Sequence, residues 1–307
     1  MKIIFAGTPE FALPSLNALH AAYDIVAVLT QPDKPQGRKR VLTPSPVKEA
    51  AIKLNLPVLQ PMKLKEDFSA LKELNADCMV TCAYGQILTQ EILTLFPMGV
   101  WNVHASLLPA YRGAAPIARA VMNGETKTGV TIMKTELGLD TGDMLLQESL
   151  PIETDDTAGT LSEKLSRLGS ELIVKGLRLL ESGNYKLKKQ GEGFVCKKVV
   201  RTQVDFSRPA GEVSALIRGL SPAPLSFGVV GGLTLNFYTA EQADTNSDAP
   251  FGTVLSASPK TGFVVKCGAG AVRILRLQPA GGSVMRDRDF CNGRKVSEGM
   301  RFDEPVL

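Results

Sequence analysis

The chain has 307 residues, of which 44% are hydrophobic and 21% are charged, so it is long enough for one or two domains with buried cores. Its 35 Lys and Arg against 31 Asp and Glu give a net charge of +4, which is too small by itself to indicate a nucleic-acid-binding protein. The composition excludes a largely disordered chain, and no apolar run approaches the length of a membrane span.

Short apolar runs alternate with helical patterns over the first 150 residues, which is typical of βαβ units on a mainly parallel sheet. The predicted strands are residues 3–6, 25–29, 78–82, 100–103, 129–134 and 144–150. The predicted helices are residues 10–21, 46–54, 116–123 and 157–180. In sheets of this kind, ligands bind beyond the carboxyl ends of the strands.

The character of the sequence changes after about Phe206. Short strand patterns at residues 233–238, 252–255, 262–267 and 271–277 are separated by turns rich in Gly, Pro, Asn and Asp. Such a series predicts a small β-barrel. We place a linker at residues 195–205, which divides the chain into domains 1–194 and 206–307.

Three polar residues indicate the chemistry. The strand at 100–103 delivers Asn102 and His104 to its carboxyl end and to the same face, and Asp140 follows in a loop between two glycines. An amide and an imidazole suit the oxyanion that forms when an amine attacks a carbonyl, and a carboxylate would orient the imidazole. Each feature alone is usually structural, since Asp commonly forms turns, but together they predict acyl transfer.

Other features have simpler interpretations. Gly7-Thr8-Pro9 follows the first strand, but the full GxGxxG pattern of a dinucleotide site is absent, so we expect no nicotinamide cofactor. His20 lies near the end of a predicted helix and is interpreted as structural. The five cysteines include no CxxC pair, which predicts buried free thiols in a reducing cytoplasm and no metal. The amino terminus lacks the pattern of a secretory signal.

A basic loop spans residues 31–45. It contains four positive charges among prolines: Lys34, Arg38, Lys39 and Arg40. The loop is too long and too charged for a simple strand-to-helix connection. From the residues alone, a solvated loop and a surface for nucleic-acid phosphates are equally good interpretations.

The stretches 102–109, 112–117 and 129–143 resemble the formyltransferase family that uses 10-formyltetrahydrofolate. Further similarity lies at residues 5–9, 30–38 and 44–48, and weakly at 277–281, so nearly the whole chain is covered. The resemblance is closest to the members that formylate methionine on initiator tRNA.

The resemblance implies a Rossmann-like catalytic domain, with Asn102, His104 and Asp140 as the catalytic trio, and an OB-like β-barrel domain that helps to bind tRNA. It implies 10-formyltetrahydrofolate as the formyl donor, no metal, and a monomeric cytoplasmic enzyme. The implied folate-binding residues are Tyr84, Gly85, Gln86, Ile87, Ser106, Leu107, Leu108 and Pro109. The resemblance also favours tRNA contact for the basic loop.

Three alternatives stay open. A formyltransferase acting on an amino sugar nucleotide would share the trio and could carry a barrel, although the basic loop argues against it. A formyltransferase for a small purine precursor would require neither the loop nor the last hundred residues. A tRNA-binding protein with a relict site is disfavoured because the trio is intact.

Overall fold

The computed structural model of the chain describes residues 1–37, 40–293 and 295–305. The chain forms two compact units. The first unit comprises Met1–Gly113, Thr128–Leu150 and Ser162–Cys196, and the second comprises Ala114–Lys127, Pro151–Leu161 and Lys197–Leu307. Two segments within the predicted domain 1–194, Ala114–Lys127 and Pro151–Leu161, group with the second unit. The domain boundaries at residues 194 and 206 therefore stay predictions.

The helices are short apart from one. In chain order they are α1 (Leu13–Ala22), α2 (Pro46–Lys53), α3 (Ser69–Glu73), α4 (Gln90–Leu93), α5 (Pro116–Met122), α6 (Ala158–Ser182), α7 (Ala210–Gly219) and α8 (Asp287–Asn292). A 3-10 turn over Glu10–Ala12 precedes α1. The start of α2 follows from its sequence, because the Ser45 side chain accepts a hydrogen bond from the Lys48 N–H and Pro46 needs no partner in the first turn. None of the helices in the described ranges is both long and apolar enough to cross a membrane.

The first unit is built on a seven-stranded sheet with two small β-pairs beside it. Its strands are β1 (Lys2–Gly7), β2 (Asp24–Leu29), β3 (Lys34–Gln36), β4 (Val41–Thr43), β5 (Val58–Leu59), β6 (Cys78–Cys82), β7 (Val100–His104), β8 (Arg112–Gly113), β9 (Lys127–Lys134), β10 (Met144–Pro151) and β11 (Val195–Cys196). The main sheet has the order β10-β9-β7-β6-β1-β2-β5. Strands β5, β2, β1, β6 and β7 are parallel, whereas β9 runs antiparallel to β7.

The central strands of this sheet are buried on both faces. Every residue of β6 is buried, and all of β1 except Lys2 is buried. This burial explains why the two strands read as nearly continuous apolar runs rather than as alternating patterns.

The second unit contains an antiparallel barrel. Its strands are β12 (Thr202–Gln203), β13 (Ser226–Val230), β14 (Leu233–Ala243), β15 (Val254–Ser258), β16 (Gly262–Lys266), β17 (Ala271–Pro279) and β18 (Met285–Arg286). They are ordered β12-β13-β14-β17-β16-β15, with β18 on β17. The sheet is closed near the end of the chain, where Met300 accepts from the Val254 N–H and Asp303 donates to Val229, each at 2.8 Å. This arrangement confirms the barrel expected from the strand pattern.

Candidate active site

Strand β7 positions the first two polar residues of the predicted trio. Trp101 and Val103 are buried, and the alternate residues Asn102 and His104 share the other face of the strand. The neighbouring strand β6 fixes the Asn102 amide, because the Thr81 hydroxyl donates to Asn102 Oδ1 at 2.9 Å. Asn102 Nδ2 makes no hydrogen bond within the described parts of the chain. It is therefore the atom that can donate to a bound carbonyl oxygen.

His104 is only 5% exposed, and both of its ring nitrogens face oxygen atoms. Nε2 lies 3.0 Å from the carbonyl oxygen of Tyr111, which can only accept, so Nε2 carries a hydrogen. Nδ1 lies 3.6 Å from Asp140 Oδ2. In the neutral ring Nδ1 can accept a proton, and the nearby carboxylate would stabilise the resulting cation.

Asp140 reaches His104 by a route that strand direction alone does not predict. Because β9 is antiparallel to β7, Lys134 at the end of β9 lies opposite Trp101, away from the carboxyl end of β7. The loop of residues 135–143 brings Asp140 back to His104. The Asp140 backbone has a φ of +51°, in the left-handed region that Asp tolerates better than most residues.

The Asp140 carboxylate is held by the backbone. Its Oδ2 accepts a hydrogen bond of 2.8 Å from the Gly113 N–H, at the end of β8. Gly113 has a φ of +99°, and an added Cβ would lie 2.7 Å from the Cys196 carbonyl oxygen, so only glycine fits here. The backbone N–H of Gly113, in the Arg112-Gly113 motif, thus positions the Asp140 carboxylate directly.

Sequence reasoning gave no role to four residues that hold the trio in place: Thr81, Tyr111, Gly113 and Gln190. The Gln190 amide donates to the Asp140 carbonyl at 2.9 Å, although fifty residues separate them along the chain. No periodic or spacing signal marks Gln190. Thr81 could have been found, since it lies in the predicted strand 78–82, which the structure pairs with β7.

The predicted folate residues that follow β7 are mostly engaged inside the first unit. The Ser106 hydroxyl donates to the Ala110 carbonyl at 2.7 Å, and the Leu108 side chain is buried. Leu107 and Pro109 are partly buried. The structure therefore puts this stretch beside the trio, with the Ser106 proton and the Leu108 side chain committed to internal contacts.

The second predicted folate stretch follows β6. Tyr84 is buried, which raises the pKa of its hydroxyl, and this hydroxyl has no hydrogen-bond partner within the described residues. Gln86 accepts from the Leu64 N–H at 2.7 Å and donates to a neighbouring carbonyl, so it braces the first unit. Gly85 has a φ of +79° in the turn, and Ile87 is 77% exposed. Of the four, Ile87 presents free apolar surface.

A cavity of about 610 Å³ adjoins the Asp140 loop. Its lining includes Phe96, Val100, Trp101, Lys134, Thr135 and Leu137, and none of the eight predicted folate residues. The Thr135 hydroxyl is buried without a hydrogen-bond partner in the described chain. Leu137 and Leu139 of the same loop are 68% and 58% exposed.

The basic loop, in which the sequence predicts no strands, contains a β-hairpin. Strands β3 and β4 pair antiparallel, from Lys34 opposite Thr43 to Gln36 opposite Val41. The pattern was missed because each strand has only three residues. Lys34 and Arg40 are exposed, whereas Arg38 and Lys39 lie outside the described residues.

Asp33 anchors the base of the hairpin. Its carboxylate accepts from Lys48 Nζ at 2.7 Å and from Gln60 Nε2 at 2.8 Å. The hydrogen bonds from Gln60 and Lys48 lower the pKa of Asp33 below its ordinary value. Asp33, Lys48 and Gln60 thus hold the start of the hairpin to the rest of the first unit by an ion pair and hydrogen bonds.

The five cysteines are buried and free, as predicted. In the parts of the chain that the structure describes, no group of three His, Cys, Asp or Glu side chains is arranged to hold a metal ion.

Comparison with known proteins adds independent findings. The family model described as formyl transferase matches residues 1–177, and the model described as formyl transferase, C-terminal domain, matches residues 198–295. The chain is 44% identical to the methionyl-tRNA formyltransferase of Herminiimonas arsenicoxydans, over 98% of this chain and 100% of that protein. It is 45% identical to the methionyl-tRNA formyltransferase of Caldanaerobacter subterraneus subsp. tengcongensis, over 97% and 99%.

Among solved structures, the chain is similar to an N-formyltransferase from Helicobacter canadensis in complex with folinic acid and dTDP-3-aminofucose. The TM-score is 0.66 at 20% identity, with 89% of this chain and 98% of that chain covered. At this identity the likeness concerns the fold alone.

Proposed function

Because the chain belongs to the formyl transferase family, we propose that it transfers the formyl group of 10-formyltetrahydrofolate to the α-amino group of methionine on initiator tRNA. The observation that carries this proposal is the constellation of Asn102, His104 and Asp140, in which an amide donor shares a strand face with an imidazole whose Nδ1 lies 3.6 Å from a carboxylate oxygen. The full-length similarity to methionyl-tRNA formyltransferases supports methionyl-tRNA as the acceptor.

The trio acts on the tetrahedral state of the reaction. The methionine nitrogen attacks the formyl carbon, a new C–N bond forms, and the bond from that carbon to N10 of the folate breaks. Asn102 Nδ2 donates to the oxyanion, and His104 adds positive charge beside it once its Nδ1 carries a proton. The proton that the amine loses reaches N10 through His104 Nδ1 or a water molecule, because Nε2 is committed to the Tyr111 carbonyl.

The first unit fits a folate donor. A pterin is a flat ring with polar edges, so its site needs apolar walls and a few hydrogen-bonding groups. Exposed Ile87 supplies apolar surface on the turn after β6, and exposed Leu137 and Leu139 supply it on the loop that carries Asp140. We assign the pterin to the Asp140 loop and to residues 84–87, and the stretch 106–109 to shaping the site from the other side.

The tRNA is assigned to two surfaces. The hairpin presents Lys34 and Arg40 to solvent beside exposed Val41 and Leu42, a combination that suits phosphates together with unpaired or end bases. We include Arg38 and Lys39 in this surface from the sequence. The barrel unit is the second surface, and we place the enzyme in the cytoplasm as a monomer with no metal.

An amino sugar nucleotide is the second candidate acceptor, and the Helicobacter canadensis structure is the observation that favours it. That likeness is at 20% identity, against 44% and 45% for the methionyl-tRNA formyltransferases. The exposed basic and apolar side chains of the hairpin suit an extended phosphate chain with end bases better than a single diphosphate. The tRNA assignment is therefore preferred.

The test is a formylation assay with 10-formyltetrahydrofolate and charged initiator Met-tRNA, in which formyl-methionine is measured. Uncharged tRNA and an amino sugar nucleotide serve as controls. Replacing Asn102 by Ala is expected to lower kcat about 100-fold or more, since an oxyanion donor is lost. Formyl transfer to the sugar nucleotide but not to Met-tRNA would move the assignment to the second candidate, and wild-type turnover by Asn102→Ala would remove the role of the amide.

The hairpin is tested separately with the double substitution of Lys34 and Arg40 by Gln. We expect a higher KM for Met-tRNA and a shallower dependence of this KM on salt, because phosphate contacts are lost. The KM for 10-formyltetrahydrofolate should not change. An unchanged salt dependence would return the hairpin to the solvated-loop interpretation.

A further inference from the structure

Gln190 uses all of its hydrogen-bonding capacity between two parts of the site. Its Oε1 accepts from Arg112 Nε at 3.0 Å and from Arg112 Nη2 at 2.9 Å. Its Nε2 donates to the carbonyl oxygens of Asp140 at 2.9 Å and Gly142 at 2.7 Å. A carboxamide has two donors and two acceptor sites, so none is left over.

These partners also fix which way the amide points. A guanidinium can only donate and a carbonyl can only accept, so Oε1 must face Arg112 and Nε2 must face the Asp140 loop. Glutamate at position 190 would pair with Arg112 but would place a negative oxygen against the carbonyls of Asp140 and Gly142. Glutamine is therefore the side chain that satisfies both sides.

The loop that Gln190 holds needs support. Asp140 has a φ of +51°, which is costly for a residue with a side chain, and Gly142 packs so closely on the Lys134 carbonyl that a Cβ would not fit. Leu137 and Leu139 in the same loop are exposed, so little apolar burial stabilises it. Hydrogen bonds must then contribute much of the stability of this loop conformation.

Arg112 is itself held by further hydrogen bonds. Besides Gln190, its Nη2 donates to the Gly191 carbonyl at 3.0 Å, and its backbone N–H donates to the Phe194 carbonyl at 3.1 Å. The next residue, Gly113, donates to the Asp140 carboxylate. The Asp140 loop is thus tied to the Arg112-Gly113 strand twice, at the carboxylate by Gly113 and at the main chain by Gln190.

We propose that Gln190 is a positioning residue for formyl transfer: it locks the Asp140 loop to Arg112, so that the Asp140 carboxylate stays beside His104 Nδ1. Gln190 does not touch the reacting atoms. It acts through Asp140, and the proposal rests on the proposed function for its turnover assay.

The first test compares Gln190→Met with Gln190→Glu. Both are expected to lower kcat about 10- to 100-fold, by analogy with side chains that orient metal ligands, with little change in either KM. Glutamate keeps a strong partner for Arg112, so wild-type kcat in Gln190→Glu would mean that Gln190 only anchors Arg112 and would overturn the proposal. Asn75→Asp, at an exposed amide in the same unit, controls for the added charge.

A double-mutant cycle tests the path of the effect. If Gln190 acts through the Asp140 carboxylate, Gln190→Met should cost little further kcat in an Asp140→Asn background. A loss that simply multiplies with that of Asp140→Asn would overturn the proposal.

A measurement without turnover separates this inference from the proposed function. Hydrogen–deuterium exchange of residues 135–143 should be faster in Gln190→Met than in the wild type or Asn75→Asp, while the strand β7 stays protected. Unchanged exchange in the loop would overturn the proposal that Gln190 holds the Asp140 loop in place. If the wild type instead formylates another amine, the function proposal fails, and the kcat comparisons are made with that amine.

Discussion

At the scale of single residues, the Asn102 amide is useful only in one orientation. In the structure the Thr81 hydroxyl donates to Oδ1 from the adjacent strand, which leaves Nδ2 as the end of the amide available to a substrate. Oxygen and nitrogen of a carboxamide have the same shape, so without this bond either end could face the substrate. Thr81, which the sequence did not single out, thus contributes to the role of Asn102 as a hydrogen-bond donor.

Replacing Thr81 by Val tests this dependence. The shape of the side chain is nearly kept and the hydroxyl is lost, so we expect kcat to fall about 10-fold with the fold intact, because a share of the Asn102 amides then points oxygen first. Thr81→Ser keeps the hydroxyl and should retain most of the turnover. Equal kcat values for the Val and Ser variants would contradict the role of the hydrogen bond.

Asp140 offers a second residue-level prediction. Asp140→Asn keeps an oxygen that can accept from Gly113 but removes the negative charge 3.6 Å from His104 Nδ1. Since the charge stabilises the protonated ring during proton transfer, we expect kcat to drop about 100-fold or more at neutral pH. The measurement is formyl-methionine formation with saturating substrates, with circular dichroism as the check on folding. A variant that keeps wild-type kcat would show that the carboxylate charge is dispensable.

At the scale of elements, the hairpin β3-β4 depends on a carboxylate whose pKa is lowered. A lowered folded-state pKa means that the stability contribution is present above the ordinary Asp value of 3.8 and is lost as the pH falls through the folded-state value. At neutral pH the wild type should therefore have a higher Tm than Asp33→Asn, and the gap should close in strongly acidic buffer. Thermal unfolding between neutral and acidic pH measures this.

The companion variant is Lys48→Gln, which removes one of the two partners of Asp33. It should reproduce part of the gap in Tm at neutral pH and none of it when the carboxyl is protonated. A gap that stays constant over the whole pH range would mean that the effect of Asp33→Asn does not arise from the carboxylate charge.

Helices α5 and α7 of the second unit meet at a glycine. A Cβ on Gly219 would collide with the Met122 side chain and lie 2.8 Å from the Ala118 carbonyl oxygen. We expect Gly219→Ala to lower the free energy of unfolding by about 1–3 kcal/mol through overpacking, as seen in denaturant melts. Gly211→Ala, in the same helix with 3.6 Å to its nearest neighbour, is the matched control and should be neutral or slightly stabilising. Equal effects would argue against a tight helix contact.

At the scale of the whole molecule, the buried thiols give a measure of global integrity. Burial raises the pKa of Cys78, Cys82 and Cys267 to about 12 and that of Cys291 to about 11. The thiolate is the reactive form, so these cysteines should react slowly with a disulfide reagent at pH about 8. The reagent should react little with the native protein. In concentrated guanidinium, which unfolds the chain, the reagent should detect all five thiols. Rapid labelling of the native protein would contradict the buried placement.

Periodic features of the sequence predict the fold well. The mostly apolar runs at 78–82 and 100–103 correspond to β6 (Cys78–Cys82) and β7 (Val100–His104), because a buried parallel strand is rich in apolar residues. The three-residue strands of the hairpin were missed, since they are too short to show a period. In the site, alternation correctly groups Asn102 with His104, whereas the contacts of Gln190 join distant parts of the chain and leave no local pattern.

The two units are interleaved along the chain, and this has a consequence for synthesis. Residues 114–127 and 151–161 belong to the second unit, yet they precede segments of the first. As the nascent chain leaves the ribosome, α5 emerges well before α7, the helix on which it packs. A chain stalled at the linker would therefore carry α5 without α7, so the contact between these helices can form only after α7 is translated.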